Sequence, residues 1–188
     1  MPAAASDRMF PPSASRSDRP REGTSSFRDI RVLVADDNPA IHEDFRRILA
    51  PTPASHAELD ALSGALFGDD LPVNLRPCRF AIDYANQGAA ALEHATTAVA
   101  AGRPFEVAFV DIRMPPGWNG VETAQRLRPV DPSLQIVLCT AYSDFRWDEV
   151  IAALGSSESV HLLRKPFGAS DVRRMAEVLG TKAARLRR

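Results

Sequence analysis

The chain has 188 residues, 45% hydrophobic and 25% charged, the balance of a soluble globular protein long enough to bury the core of one domain without staples. Its 23 Lys and Arg stand against 24 Asp and Glu, a net charge of −1, so no global positive field exists to hold nucleic acid or an anionic membrane. No apolar run approaches the roughly 20 residues of a bilayer-spanning helix and no apolar signal core opens the sequence, so the expectation is a cytoplasmic protein without membrane insertion.

Residues 1–29 are dominated by Ala, Ser, Pro, Arg and Asp, with too few large apolar groups to offset chain entropy, and are expected to form a disordered leader. At Ile30 the texture changes. Ile30-Arg31-Val32-Leu33-Val34-Ala35 reads as a strand that stops at Asp36-Asp37-Asn38-Pro39. Asn38 suits an N-cap and Pro39 a first helical position, and Ile41, Phe45, Ile48 and Leu49 recur at helical spacing. The next stretch, 51–77, carries Pro51, Pro53, Pro72 and Pro77 and is too long for an ordinary helix-to-strand loop. Within this insertion Ser55 and Glu58 form a capping pair, Leu59, Leu62 and Leu66 share a helical face, and Gly68 follows as a stop, so a short amphipathic helix is expected.

The strand-helix alternation then continues: strand 79–85, helix 87–101, strand 106–111, helix 120–128, strand 134–140, helix 144–154, strand 160–165 and helix 170–180. Asn119 and Glu122 look like a capping pair for the third of the regular helices. Five strands alternating with five helices predict an α/β fold, a doubly wound parallel sheet with right-handed crossovers and helices on both faces. The domain is drawn at 30–180, with a basic C-terminal extension at 181–188.

The chemistry lies in what ends each strand. The first strand stops at Asp36-Asp37, the third at Asp111, the fourth at Thr140 and the fifth at Lys165-Pro166, and in a parallel sheet these all converge on one edge. Gathered carboxylates repel one another and raise each other's pKa unless a cation neutralises them. A hard divalent ion with oxygen ligands, Mg²⁺ above all, suits such a set and implies phosphoryl chemistry. An Asp can then act as nucleophile while a hydroxyl and an ammonium offset charge on the transferring group. Taken singly, each residue has a plainer role as a helix-dipole partner, a turn residue or a strand end. The histidines have no partner spacing: His42, His56 and His94 fall on helical segments and His161 in a strand. Met114, Trp118, Trp147 and Phe167 read as packing groups rather than a ligand box. Cys78 and Cys139 stand in no CxxC pair, so reduced thiols are expected.

At VLVADDNPAIHEDFRRIL, VAFVDIRMPPGWNGVE, IVLCTAYSD and LLRKPF the chain resembles the response-regulator receiver domain of two-component phosphorelays, from 30 to 179 and interrupted by the insertion 51–77. The resemblance implies Asp111 as phosphoacceptor, with Thr140 and Lys165 engaging the phosphoryl group. It implies a Mg²⁺ site of Asp36, Asp37, Asp111 and the backbone carbonyl of Arg113, with Asp37 a direct ligand and Asp36 acting largely through water. It also implies a flavodoxin-like five-stranded sheet of order 2-1-3-4-5 and a cis peptide at Lys165-Pro166, and it provides no organic cofactor site.

Three features depart from the commonest receiver pattern. Leu162 stands where many receivers carry a switching aromatic residue. The loop MPPGWNG is one residue longer and holds Trp118. Arg113 and Tyr142 occupy positions that tune phosphoryl lifetime. The implied partners are a sensor histidine kinase or phosphotransfer protein and a downstream protein or fused output domain, with homodimerisation open and no direct nucleic-acid contact. Output is binding rather than substrate turnover, so the chain is not expected to be an enzyme beyond its own phosphotransfer and autodephosphorylation. The rival readings are a docking-only receiver and a Mg²⁺-dependent aspartyl-phosphate phosphohydrolase. The first is disfavoured because no key residue is missing, and the second because Arg113 stands where such an enzyme needs a second Asp.

Overall fold

A computed structural model describes residues 27–50, 78–141, 147–155 and 158–188. The expected leader up to residue 26, the insertion 51–77 with its amphipathic helix, and Tyr142 lie outside these residues. The elements are β1 (Arg28–Ala35), α1 (Pro39–Leu49), β2 (Cys78–Ala85), α2 (Gly88–Ala100), β3 (Val107–Asp111), α3 (Gly120–Val130), β4 (Gln135–Thr140), α4 (Trp147–Leu154), β5 (Val160–Arg164) and α5 (Ala169–Leu186). All four strand pairings are parallel, as the alternation predicts, and the sheet order is β2-β1-β3-β4-β5, the order that the receiver resemblance implies.

Period-two alternation sends each strand's side chains to two separate cores. Ile30, Val32 and Val34 of β1, Val107 and Phe109 of β3, and Val137 and Cys139 of β4 pack with Phe45 and Leu49 of α1 and Val172, Ala176 and Leu179 of α5. Leu33, Ala35, Ala108, Val110, Ile136 and Leu138 face the other way, onto Ala91, Ala95 and Ala98 of α2, Ala124 and Leu127 of α3, and Val150 and Leu154 of α4. β3 is buried along its whole length, as a central parallel strand covered on both faces must be. The alanine face of α2 lets that helix lie close to the sheet, whereas on the opposite face Phe45 fills the space, its ring 4.9 Å from that of Phe109.

Most boundaries agree with the sequence reading to within one residue, and among the described residues three differ by two or more. β1 begins at Arg28, because Arg28 and Asp29 pair with Cys78 and Arg79 of β2, so the last residues assigned to the leader belong to the sheet. α3 continues through Pro129 to Val130. Proline removes one donor in a final turn, and the Asp131 N–H still closes that turn on the Leu127 carbonyl. α5 runs to Leu186 rather than stopping at Gly180, so the basic extension 181–188 is mostly helix, held by the buried Ala183 and by Arg187. Among the described residues, no helix is long and apolar enough to cross a membrane.

Candidate functional site

In a 2-1-3-4-5 sheet the chain leaves β1 toward one edge and β3 toward the other, so a crevice opens between the carboxyl ends of these two central strands. Asp36 and Asp37 follow β1 and Asp111 ends β3, which puts all three carboxylates at that crevice. Their oxygens lie within 4.8 Å of one another, with Asp36 and Asp111 buried and Asp37 exposed.

The two buried carboxylates, Asp36 and Asp111, are each positioned by their own strand's continuation. The Asp36 N–H donates to the Ala85 carbonyl at 3.1 Å, extending the β1–β2 ladder by one residue. The Asp36 Oδ1 accepts the Asn38 N–H at 2.9 Å. Asn38 serves twice, since its own Oδ1 accepts the Ala40 N–H at 3.0 Å and caps α1. The Arg113 N–H donates to Asp111 Oδ2 at 3.1 Å, the Ile112 N–H pairs with the Cys139 carbonyl, and the Gly120 N–H with the Ile112 carbonyl. Gly120 has to be a glycine here: a Cβ would stand 2.4 Å from the Asp111 carbonyl oxygen, so the start of α3 lies directly on the end of β3. The predicted cap of α3 is present, the Glu122 N–H donating to Asn119 Oδ1 at 2.9 Å. Its reciprocal half is absent, because the Glu122 carboxylate pairs with Arg126 instead.

Lys165 closes the crevice from β5. Its backbone N–H donates to the Thr140 carbonyl at 2.7 Å, and its Nζ reaches Asp111 Oδ1 at 2.7 Å and Asp36 Oδ2 at 2.9 Å. The peptide bonds Lys165-Pro166 and Pro115-Pro116 are both cis; the first was expected and the second was not. Burial pushes the Asp111 carboxyl above its usual pKa, with the Asp36 charge adding to the shift and the Lys165 ammonium opposing it. Burial works against the ammonium of Lys165, but its hydrogen bonds to Asp111 and Asp36 outweigh that and hold its pKa above the ordinary lysine value. Thr140 is buried at the same edge, and its hydroxyl donates to the Ala141 carbonyl at 2.8 Å.

The donor set suits a hard cation. Three carboxylates meet one ammonium, and within this group the exposed Asp37 takes no part in the Lys165 pairing. All the side chains offering lone pairs are oxygen donors, the chemistry of Mg²⁺ rather than of zinc or copper. The structure thus brings together Asp36, Asp37, Asp111 and Lys165 in mutual reach, with Thr140 and Arg113 on the flanking backbone. Residues that the sequence reading left unassigned include the Asn38 backbone, Gly120 and Gln87, whose side chain bonds the loop after Asp111. Asn38 was legible only as a cap. Gln87 gave no signal, because its partner lies 28 residues away.

Met114, Trp118 and Phe167 of the suspected packing groups behave as such, and the side chain of Trp147 lies outside the described residues. Met114 is buried in the core, the Phe167 ring lies 5.5 Å from that of Phe45, and the Arg126 guanidinium stacks 4.0 Å from the Trp118 ring centroid. Leu162 packs against the core on the α2–α4 face. Both cysteines are free thiols.

A family model for the response regulator receiver domain matches residues 68–177, more than half of the chain. The match begins within the insertion and so leaves out Asp36 and Asp37. No curated protein matches the sequence. Among solved structures, an adenylate cyclase from Rhodopirellula baltica is 21% identical with a TM-score of 0.58, covering 84% of this chain and 92% of its own. The signal receiver domain of an HD domain-containing protein from Pseudomonas fluorescens Pf-5 is 16% identical with a TM-score of 0.57, covering 84% and 91%. The Vibrio cholerae chemotaxis protein CheY4 is 19% identical with a TM-score of 0.55, covering 81% and 99%. At such identities these likenesses establish the fold and leave the chemistry to the site.

Proposed function

The chain belongs to the response regulator receiver domain family, and from that premise we propose that it is the phosphoacceptor of a two-component system, taking a phosphoryl group on Asp111. The observation that carries the reading is one ammonium, Lys165, bonded at once to Asp111 and Asp36 within reach of Asp37. Asp36, Asp37, Asp111 and the Arg113 carbonyl would hold Mg²⁺, which when bound supplies positive charge for the oxygens of the transferring phosphoryl group. Asp111 supplies the nucleophile. One carboxylate oxygen forms the new P–O bond as the P–N bond of the donor, a phosphohistidine of a sensor kinase or phosphotransfer protein, breaks, and the donor's imidazole departs with the electron pair.

Lys165 keeps its proton throughout, consistent with its raised pKa, and its ammonium is placed to pass from a carboxylate oxygen to a phosphoryl oxygen. Once a phosphoryl group is present, the Thr140 hydroxyl has a better acceptor than the Ala141 carbonyl and turns to it. With Leu162 in place of an aromatic switch, that turn is transmitted by packing rather than by a ring flip. The outcome is a shift between pre-existing conformations that changes contacts with a downstream protein or fused output domain. The cytoplasm is the compartment where such donors act.

Intact-mass detection of phosphorylation by acetyl phosphate tests the reading. Labelling is expected only with Mg²⁺ present, and Asp111→Asn is expected to abolish it. Labelling of the folded Asp111→Asn protein at the wild-type level would overturn the assignment.

A further inference from the structure

Gln87 stands at the N-cap of α2 yet makes no cap: its backbone is extended and its side chain accepts nothing from the helix's first N–H groups. A cap at this position normally satisfies one of the orphan donors of the first turn. The amide is instead committed to the loop that leaves the phosphoacceptor. Its Nε2 donates to the Pro115 carbonyl at 3.0 Å and its Oε1 accepts the Gly117 N–H at 3.2 Å. The match is two-sided. Pro115 and Pro116 carry no N–H, so Gly117 offers the first backbone donor after Met114. A Cβ on Gly117 would lie 2.3 Å from Gln87 Oε1, so a glycine there is what admits the amide.

The loop so held starts at Arg113, whose N–H fixes Asp111 Oδ2, and ends at Asn119, which caps α3. Its far side is tied down by the Arg126 guanidinium over Trp118. Between those two anchors the Gly117 N–H is shared, closing the turn on the Met114 carbonyl at 3.1 Å while it also reaches Gln87, and the Gln87 amide adds a side-chain contact that holds the turn from outside.

We infer that Gln87 is a positioning residue for the cation and phosphoryl site: by clamping Pro115 and Gly117 it fixes the Arg113 backbone, and through that backbone the orientation of the Asp111 carboxylate. The inference rests on the phosphoacceptor reading given above. Gln87 touches no reacting atom, so its loss acts on how tightly the site holds its cation and spares the chemistry once the cation is bound.

The test uses the full chain with Gln87→Met, which keeps the length of the side chain and removes both hydrogen bonds, with Gly117→Ala, which displaces the amide from the loop side, and with the double variant. Mg²⁺ affinity is read by calorimetry, and acetyl phosphate labelling is followed against Mg²⁺ concentration. Each single variant is expected to raise the half-saturating Mg²⁺ concentration about three- to tenfold. Labelling at saturating Mg²⁺ stays within about twofold of wild type, and the double variant is no worse than the worse single one, as for two halves of one contact. Unchanged Mg²⁺ affinity in Gln87→Met, whether or not its Tm falls, would overturn the inference, as would fully additive effects. Failure of the underlying reading looks different, because wild type itself then neither binds Mg²⁺ nor labels on Asp111.

Discussion

The two ends of the sheet use the same kinds of residue to opposite ends. At the amino end, Arg187 of the last turn donates to Glu106 Oε1 at 2.9 Å, Asp131 Oδ2 at 2.6 Å, the Ser133 hydroxyl at 2.7 Å and the Phe105 carbonyl. The remaining carboxylate oxygens are also engaged: Glu106 Oε2 accepts the Arg31 N–H at 2.7 Å, and Asp131 Oδ1 accepts the Ser133 N–H at 2.9 Å. At the carboxyl end, three carboxylates gather around one ammonium, which pairs with Asp36 and Asp111 and leaves Asp37 out. The first arrangement is complete in itself and fastens α5 to the loops before β3 and β4. The second retains negative charge at low dielectric, which is the condition for admitting a cation and then a phosphoryl group. Incompleteness of a polar cluster, more than its charge, separates a site from a brace.

Removing the cationic member of each cluster tests this contrast most strongly. Lys165→Met leaves Asp36 and Asp111 without their ammonium and is expected to cost about 3 kcal/mol in metal-free buffer, with most of the lost Tm restored by Mg²⁺. Arg187→Ala is expected to cost about 2 kcal/mol, since its partners are partly solvated and find water, and Mg²⁺ should restore none of it. Thermal melts with and without Mg²⁺ check both variants; equal rescue of the two would erase the distinction between the ends.

A smaller effect of opposite sign is expected from Asp111→Asn. The folded state holds the Asp111 carboxyl above its ordinary pKa, so ionisation at neutral pH costs stability. The neutral amide avoids that cost and still offers Lys165 an acceptor. Metal-free Tm should rise by a few degrees, and the Mg²⁺-induced shift should shrink.

The smallest expected change is at the amino end. His161 Nε2 lies 3.1 Å from Oε1 of the fully buried Gln135, and burial, aided by Lys182, lowers its pKa below 6.5. The unfolded chain therefore takes up the proton first. This contribution is fully present above pH 6.5 and is lost as pH falls through the lowered folded value. Urea unfolding at pH 7.5 and 5.5 should show a loss of about 1 kcal/mol or less that His161→Gln removes.

Much of the fold was legible because local patterns and tertiary burial agree. The apolar run ending at Ala35, the alternation of Val107-Ala108-Phe109-Val110 and the caps at Asn38 and Asn119 each state a local preference that the packed domain keeps. The residues of the candidate site were legible as a group for a related reason, since in a parallel sheet the residue that ends a strand is also the residue at the crevice. The reach of α5 beyond Gly180 was not legible. What holds Arg187 is Glu106, 81 residues earlier, and Asp131, 56 residues earlier, and no helical periodicity announces such partners. The cap of α3 was read correctly in one half only, because Glu122 had a nearer opposite charge in Arg126.

By itself, then, the sequence determined the order of strands and helices, the two-faced burial of the central strands and the chemical identity of the groups at their ends. These follow from periodicity and from residue type, both properties of neighbours along the chain. Only the tertiary structure decided that one ammonium serves both Asp36 and Asp111, that Gln87 leaves its own helix uncapped to hold a loop, and that the last turn of α5 is bolted to the amino end of the sheet. Each of these joins residues 28 to 129 positions apart. Such pairings depend on where the folded backbone directs a side chain, and that direction is set by packing the whole sheet at once.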